Sequence, residues 1–185
     1  DLKGEIKGDI SNLNNKREIE YATASFGQGI AMTPIELLSA LGAIANQGKI
    51  MRPYIVEKFI YRGGKEEEVK SEVLAQVISP ETAEKLTKMM VDVVENGWSK
   101  KARISGYWIA GKTGTAQVPD FKTGGYSDKT IHSFGGFFPA YEPQFFILIK
   151  LDNPKGIPFA SESIVPTFRE IVQYIINYYE IPPNQ

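Results

Sequence analysis

The chain of 185 residues contains no cysteine and a single histidine. The lack of cysteine excludes disulfides, zinc–thiolate sites and a cysteine nucleophile. It leaves the compartment open, because a chain without thiols has nothing to oxidise. A lone histidine beside a predicted strand is more often structural than functional, so His132 receives no role.

An excess of either charge is also missing, since 21 basic and 22 acidic side chains give a net charge of −1. No overall field is available to collect nucleic acid, and we interpret the basic run Lys100–Arg103 as a solvated loop. The apolar run Phe145–Ile149 is far shorter than the ~20 residues of a membrane span. The start, Asp1–Glu5, lacks the hydrophobic region of a signal peptide, so we expect any anchor or export signal to lie outside these residues.

The pattern of apolar residues predicts an α+β fold in which helices pack on an antiparallel sheet. Residues 33–47 read as a helix with a Thr33/Glu36 capping box, and its apolar residues on most sides predict that it is buried. Residues 1–20 read as an irregular lead-in. The other predicted elements are helices at about 80–96 and 165–179 and strands at 54–60, 107–118, 133–138 and 145–151. The first of these helices has Ser79 as its cap. The residues predicted on one face of it are Ala83, Leu86, Met90, Val93 and Val94, and those predicted along one stripe of the second are Val165, Phe168, Val172, Ile175 and Tyr179.

The segment Ala110–Gln117 carries the chemistry and fits two classes of protein. Gly106, four intervening residues and Gly111-Lys112-Thr113 match the G-x-x-x-x-G-K-[ST] pattern of a nucleotide-binding P-loop. A P-loop needs a strand before its first glycine and a helix starting at the Lys-Thr pair. Here a basic loop precedes Gly106, and Gly114 and Pro119 oppose a helix, so the context disfavours this interpretation.

The second interpretation is the Lys-Thr-Gly element of serine acyl-transfer enzymes that handle penicillin, set within a strand. Lys112 would place a positive charge beside a carboxylate-bearing substrate. Thr113 and Thr115 alternate onto one face of the strand, where their hydroxyls can hydrogen-bond that carboxylate. Gly114 has no side chain and would let a substrate backbone approach the strand closely.

The surroundings of this tripeptide resemble class B penicillin-binding proteins over nearly the whole chain. The segments that carry the resemblance are Ser25–Gly29, Met32–Leu37, Ala43–Lys49, Arg52-Pro53, Lys101-Ala102, Gly106-Tyr107, Ala110–Gln117, Ser133-Phe134, Gly136-Phe137, Pro139-Ala140, Leu151–Lys155 and Ile181–Pro183. The segments after residue 150 favour the division-type branch. Phe159–Ser163 departs from the pattern, because the resemblance leads us to expect a Gly-Gly turn there.

The resemblance implies the C-terminal portion of a penicillin-binding transpeptidase fold, which is related to the serine β-lactamases. No serine in the chain begins a Ser-x-x-Lys or Ser-x-Asn motif. We therefore expect residues 1–185 to form a single incomplete domain that follows the Ser-x-Asn motif and lacks the nucleophile. By resemblance, Lys112 is the third-motif lysine and Thr113, Gly114 and Thr115 bind substrate. The Thr115 backbone N–H would serve the oxyanion hole, and Gln117 would line the outer end of the strand.

The implied parent protein is a peptidoglycan D,D-transpeptidase that cross-links stem peptides through a serine acyl-enzyme and binds β-lactams. It would be anchored at the extracytoplasmic face of the bacterial membrane and meet membrane division proteins, with no metal or cofactor. One alternative is a D,D-carboxypeptidase or β-lactamase that transfers the acyl group to water, and another is a non-catalytic penicillin-binding sensor module. In every case the isolated chain, which also needs the rest of its domain as partner, is expected to be inactive.

Overall fold

The structure is a computed structural model that describes residue 4, residues 6–120 and residues 122–185. Its helices are α1 (Glu18–Ala24), α2 (Pro34–Ala45), α3 (Pro80–Glu95), α4 (Ala160–Ser163) and α5 (Val165–Tyr178), with 3-10 turns at Ser11–Asn15 and Lys100–Ala102. Its strands are β1 (Lys49–Met51), β2 (Lys58–Ile60), β3 (Glu66–Glu68), β4 (Val73–Gln76), β5 (Ala110–Pro119), β6 (Tyr126–Phe138) and β7 (Phe145–Asp152). The order of helices and strands confirms the predicted α+β class.

The centre of the molecule is an antiparallel sheet in the order β5-β6-β7. Phe134 and Phe138 lie on one face, where the Phe134 ring meets Phe168 of α5 edge-on at 4.5 Å between centroids. Phe137 lies on the other face and packs with Met90 and Val91 of α3. We call these the α5 face and the α2/α3 face. The alternation of side chains along β6 thus gives the sheet a helical layer on each side.

Helix α5 covers its face of the sheet as its sequence pattern predicts. Val165, Phe168 and Val172 of the predicted stripe are buried. The next buried position is Ile176 and not the predicted Ile175, which is half-buried. The buried stripe ends at Ile176, because Tyr179 of the predicted stripe is 58% exposed.

Helix α2 begins as predicted but is not buried as predicted. The Thr33 side chain accepts from the Glu36 backbone N–H and the Glu36 carboxylate accepts from the Thr33 N–H, so the capping box is present. Only Ala43 of this helix is buried, and Ile35 is 40% exposed. The prediction of a helix covered on most sides is therefore wrong. The described residues cover it only on the side that meets β1, α3 and the sheet.

Helix α3 confirms its predicted cap, since the Ser79 hydroxyl accepts from the Thr82 N–H. Its buried face contains Ala83, Met90 and Val94 as expected. Thr87 and Val91 complete that face, whereas the predicted Leu86 and Val93 are only half-buried.

The remaining strands form two small ladders, β1-β4 and β2-β3, apart from the central sheet. The predicted strand 54–60 is reduced to Lys58–Ile60. The predicted irregular segment 1–20 contains a 3-10 turn at Ser11–Asn15 and the start of α1 at Glu18, while residues 1–3 and 5 lie outside the described residues. The Tyr21 hydroxyl donates to the Leu13 carbonyl, and the Asn12 side-chain amide donates to the Glu20 carboxylate. These two hydrogen bonds link the 3-10 turn to α1.

Candidate active site

The Lys-Thr-Gly-Thr segment lies within β5, which is an edge strand of the sheet in the described part of the chain. Its inner neighbour is β6, and its other side faces no strand of the described residues. Lys112 therefore sits in the middle of a strand rather than at the start of a helix. This placement rules out the P-loop interpretation, which needs a helix at the Lys-Thr pair.

The strand places Lys112 and the two threonines on opposite faces. Lys112 lies opposite Gly135, on the face where a side chain at Gly135 would meet Leu41 of α2. Thr113 lies opposite Phe134 and Thr115 opposite His132, on the α5 face. The predicted common side of the Thr113 and Thr115 side chains is confirmed by this register, because directly opposed residues share a face.

An open cleft of about 660 Å³ separates β5 from α2 and the loop before it. One wall is Lys112–Gln117, and the other contains Phe26–Met32 together with Leu37 and Leu41 of α2. An isolated bridge between Asp9 and Ala31 holds the second wall in place. All the predicted site residues, from Lys112 through Gly114 and Thr115 to Gln117, thus border one cleft.

Lys112 offers a positive charge to this cleft. Its Nζ donates to the Thr113 carbonyl at 2.8 Å. Within the described ranges no carboxylate forms a salt bridge with it. An unneutralised ammonium beside an open strand edge is suited to hold an anionic group of an extended ligand.

Packing inside the sheet requires a glycine at position 114, a reason that the sequence alone does not show. A Cβ at this position would lie 2.5 Å from the Ser133 hydroxyl of β6. Ser133 therefore occupies the space beside Gly114, on the same face as Lys112, and it also borders the cleft. Lys150 of β7 lies opposite Ser133 and is paired with Asp152. Ser133 belongs to the Ser133-Phe134 segment of the family resemblance, whereas only the period-2 alternation of the predicted strand 145–151 is a signal for Lys150.

The single-turn helix α4 contacts the outer half of β5 through Thr115. The Ala160 backbone N–H donates to the Thr115 hydroxyl at 3.2 Å. No side chain of its own caps this helix, so Thr115 supplies an acceptor for its first N–H. Phe159–Ser163, where the resemblance led us to expect a Gly-Gly turn, is thus the start and body of a helix with Ala160 buried.

His132 is fully buried on the strand next to Thr115. Its Nδ1 lies 2.7 Å from the Ser163 hydroxyl of α4, and its Nε2 lies 3.1 Å from the Thr130 hydroxyl. Burial lowers the pKa of the imidazole below its ordinary value, and a hydrogen bond with the Pro158 carbonyl offsets this only in part. The ring is therefore neutral near pH 7.

In the described residues, no serine that borders the cleft is hydrogen-bonded to a lysine amine or to the histidine, the kinds of base that activate a serine nucleophile. The hydroxyl of Ser163 contacts His132, but Ser163 does not border the cleft. The described residues also contain no cluster of three acidic or histidine side chains placed to hold a metal ion. As for membranes, none of the described helices combines the length and apolar character that a span requires.

A family model for the penicillin binding protein transpeptidase domain matches residues 1–173 of the chain. Stage V sporulation protein D of Bacillus subtilis is 37% identical over all of this chain and 29% of its own length. A peptidoglycan D,D-transpeptidase FtsI homolog of Mesostigma viride is 38% identical over 90% of this chain and 30% of its own length. The chain thus spans about three-tenths of the curated relatives it matches.

Solved structures match the fold as a whole. Apo penicillin binding protein 3 of Mycobacterium tuberculosis superposes with a TM-score of 0.89 at 29% identity, over 100% of this chain and 44% of that one. The same protein complexed with ampicillin gives a TM-score of 0.89 at 30% identity, over 99% of this chain and 43% of that one. The order and packing of elements described above are therefore those of solved penicillin binding protein structures.

Proposed function

Because the chain belongs to the penicillin binding protein transpeptidase domain family, we propose that it is the C-terminal portion of a peptidoglycan D,D-transpeptidase domain. The observation that carries the proposal is the Lys112–Thr115 segment on an open edge strand beside a cleft of about 660 Å³. Residues 1–185 then form one incomplete domain, and the rest of that domain is its first partner. The share of each relative that the chain spans supports this division.

The edge of β5 is the binding surface for the stem peptide in this proposal. An extended peptide adds to an exposed edge by backbone hydrogen bonds, and β5 offers such an edge to the cleft. The Lys112 ammonium attracts the terminal carboxylate from one face of the strand edge. The Thr113 and Thr115 hydroxyls, which border the same cleft from the other face, donate hydrogen bonds to it. Gln117 contacts the peptide further along the strand.

The nucleophile comes from the rest of the domain. Its serine hydroxyl loses its proton to a neighbouring base and attacks the carbonyl carbon of the peptide bond between the last two D-alanines. An ester with the serine forms, and the terminal D-alanine leaves with a proton. The amine of a second stem peptide then attacks the ester and releases the serine. The Thr115 backbone N–H and the N–H of that serine stabilise the oxyanion in both steps.

The same site accepts β-lactams, whose carboxylate and strained amide resemble the end of the stem peptide. The likeness to a protein that has been crystallised with ampicillin supports this assignment. The complete protein acts at the extracytoplasmic face of the bacterial membrane. There it meets division proteins, a role supported by the likeness to an FtsI homolog.

The test is labelling of the complete natural protein with fluorescent penicillin, read by denaturing electrophoresis. Lys112→Ala should slow labelling by roughly 10²-fold or more, the scale of lost electrostatic and proton-transfer help. Lys85→Ala removes an exposed lysine of α3 and should leave the rate unchanged. Equal rates for the two variants would overturn the role of Lys112.

Product analysis with stem peptides then decides the reaction. Joining of two stem peptides supports the transpeptidase. Hydrolysis without joining would replace it by a carboxypeptidase or β-lactamase. A complete protein that takes up no label would instead be a non-catalytic module.

A further inference from the structure

A polar cluster around the buried His132 lies beside the outer half of β5. His132 contacts the Thr130 hydroxyl through Nε2 and the Ser163 hydroxyl through Nδ1, and none of the ring is exposed. His132 lies directly opposite Thr115, and Thr130 lies directly opposite Gln117. The two β6 residues of this cluster therefore support the two outermost residues of the proposed binding strand.

The cluster also fixes α4 at both of its ends. The first residue, Ala160, donates its N–H to the Thr115 hydroxyl, and the last residue, Ser163, contacts His132. A helix of one turn has little stability of its own. Its position against β5 and β6 therefore depends on these two contacts, on the buried Ala160 side chain, and on the buried Ile164 that joins it to α5.

The contact between Ala160 and Thr115 determines how the Thr115 hydroxyl can be used. A hydroxyl has one proton to donate and two lone pairs to accept with. Because one lone pair already accepts the Ala160 N–H, the hydroxyl is held in place and its proton stays available for a ligand. Thr115 is exposed and borders the cleft, so that ligand can approach from the solvent.

We propose that His132 is a positioning residue, which orients the Thr115 hydroxyl toward the substrate carboxylate by holding Ser163 and hence α4. This role of His132 rests on the proposed function, in which the Thr115 hydroxyl binds the substrate carboxylate. His132 does not touch the substrate itself. Its effect on binding must therefore pass through Thr115 and disappear when the Thr115 hydroxyl is removed.

The surroundings of the ring suit a neutral hydrogen-bonding residue. Its side-chain partners, Thr130 and Ser163, carry no charge. Of the charged groups on the packed elements, Glu162 and Lys129 are exposed. Asp152 lies opposite Ile131 and therefore points to the other face. Burial accordingly leaves the ring uncharged, and both of its nitrogens are used as local contacts.

The first experiment measures how strongly the complete protein prefers a carboxylate. The second-order acylation rate constant is determined for benzylpenicillin and for its methyl ester, which lacks the charge. Thr115→Ala should lower the ratio of the two constants by roughly 10- to 100-fold, the value of a hydrogen bond to a charged group. His132→Val should lower it by roughly three- to tenfold, the scale of an indirect coupling.

The double variant Thr115→Ala/His132→Val separates positioning from general damage. It should show the ratio of Thr115→Ala alone, because nothing is left for His132 to position. Ser163→Ala should reproduce His132→Val, and His132→Asn, which keeps a hydrogen-bonding group near Nδ1, should recover most of the ratio. Val91→Ala, a core truncation behind the opposite face, should leave the ratio unchanged. Independent losses in the double variant would overturn the proposal.

The second readout does not depend on acylation. Hydrogen exchange of the Ala160 amide should speed up on the order of tenfold in His132→Val and return toward the wild-type rate in His132→Asn. Unchanged exchange would overturn the link between His132 and α4. If the wild-type protein is not acylated but this exchange pattern holds, the proposed function fails while the structural link stands.

Discussion

The two faces of the central sheet are covered very unequally. On the α5 face, Phe134, Phe138 and Phe168 are all fully buried. On the α2/α3 face, α2 buries only Ala43 and leaves a cleft between itself and β5. The closed face supplies most of the core. The half-covered face presents Lys112 to the cleft, so the proposed binding surface lies on the less densely packed side of the sheet.

Matched phenylalanines give the largest expected contrast. Phe168→Ala on the closed face should lower the free energy of unfolding by about 3–5 kcal/mol, the range for a buried aromatic truncation. Phe26→Ala in the cleft wall should change it by about 0.5 kcal/mol or less, because that side chain is 69% exposed. Chemical denaturation of both variants measures the difference. Similar losses would show that the two faces are equally important to stability.

Two adjacent glycines of β6 sharpen the comparison with a smaller change. A Cβ at Gly136 would lie 2.8 Å from the Phe168 ring and 2.9 Å from the Ala110 carbonyl oxygen. Gly136→Ala should therefore cost about 1–3 kcal/mol by overpacking.

The corresponding contact on the other face can relax. A Cβ at Gly135 would meet the end of the Leu41 side chain, which borders the cleft, at 2.9 Å and the Phe146 ring at 3.3 Å, and it would meet no backbone atom that closely. Gly135→Ala should cost roughly 0.5 kcal/mol or less. If Gly135→Ala proved as costly as Gly136→Ala in thermal and chemical denaturation, the open face would be as rigid as the closed one.

Acidification should give the smallest effect, and it acts on the closed face through His132. The folded pKa of this ring lies below its unfolded value, so the unfolded chain binds the proton more readily. The contribution of the neutral ring is complete above the unfolded pKa of about 6.5 and is lost as the pH falls toward the folded value. The unfolding free energy of the wild type should thus fall more between about pH 7.5 and 5.5 than that of His132→Gln.

The comparison also separates what the sequence predicts from what it does not. Strand β5 and the α5 stripe were predicted because each follows from the period of its own residues. The predicted burial of α2 is wrong. An apolar residue such as Ile35 marks a surface that another element could cover, but the sequence does not show whether an element packs there. The predicted strand 133–138 starts later than β6, which begins at Tyr126. The polar residues Ser127 to Lys129 lack the apolar alternation by which a strand is recognised in the sequence.

The His132 cluster could not be predicted from local pattern. His132 and Ser163 are 31 residues apart, and Thr115 meets Ala160 across 45 residues. Both contacts depend on the register between β5 and β6 and on the placement of α4. The sequence therefore predicts strand β5 but not the residues that pack beside its outer half.

The proposed function places a binding strand in this chain and the nucleophile in the rest of the domain. The most direct measurement is the intact mass of the chain after incubation with benzylpenicillin, with the complete natural protein treated in parallel. The account predicts an unchanged mass for the chain, because no serine of it begins a Ser-x-x-Lys motif, and one covalent penicillin on the complete protein. A stoichiometric adduct on the isolated chain would contradict the account.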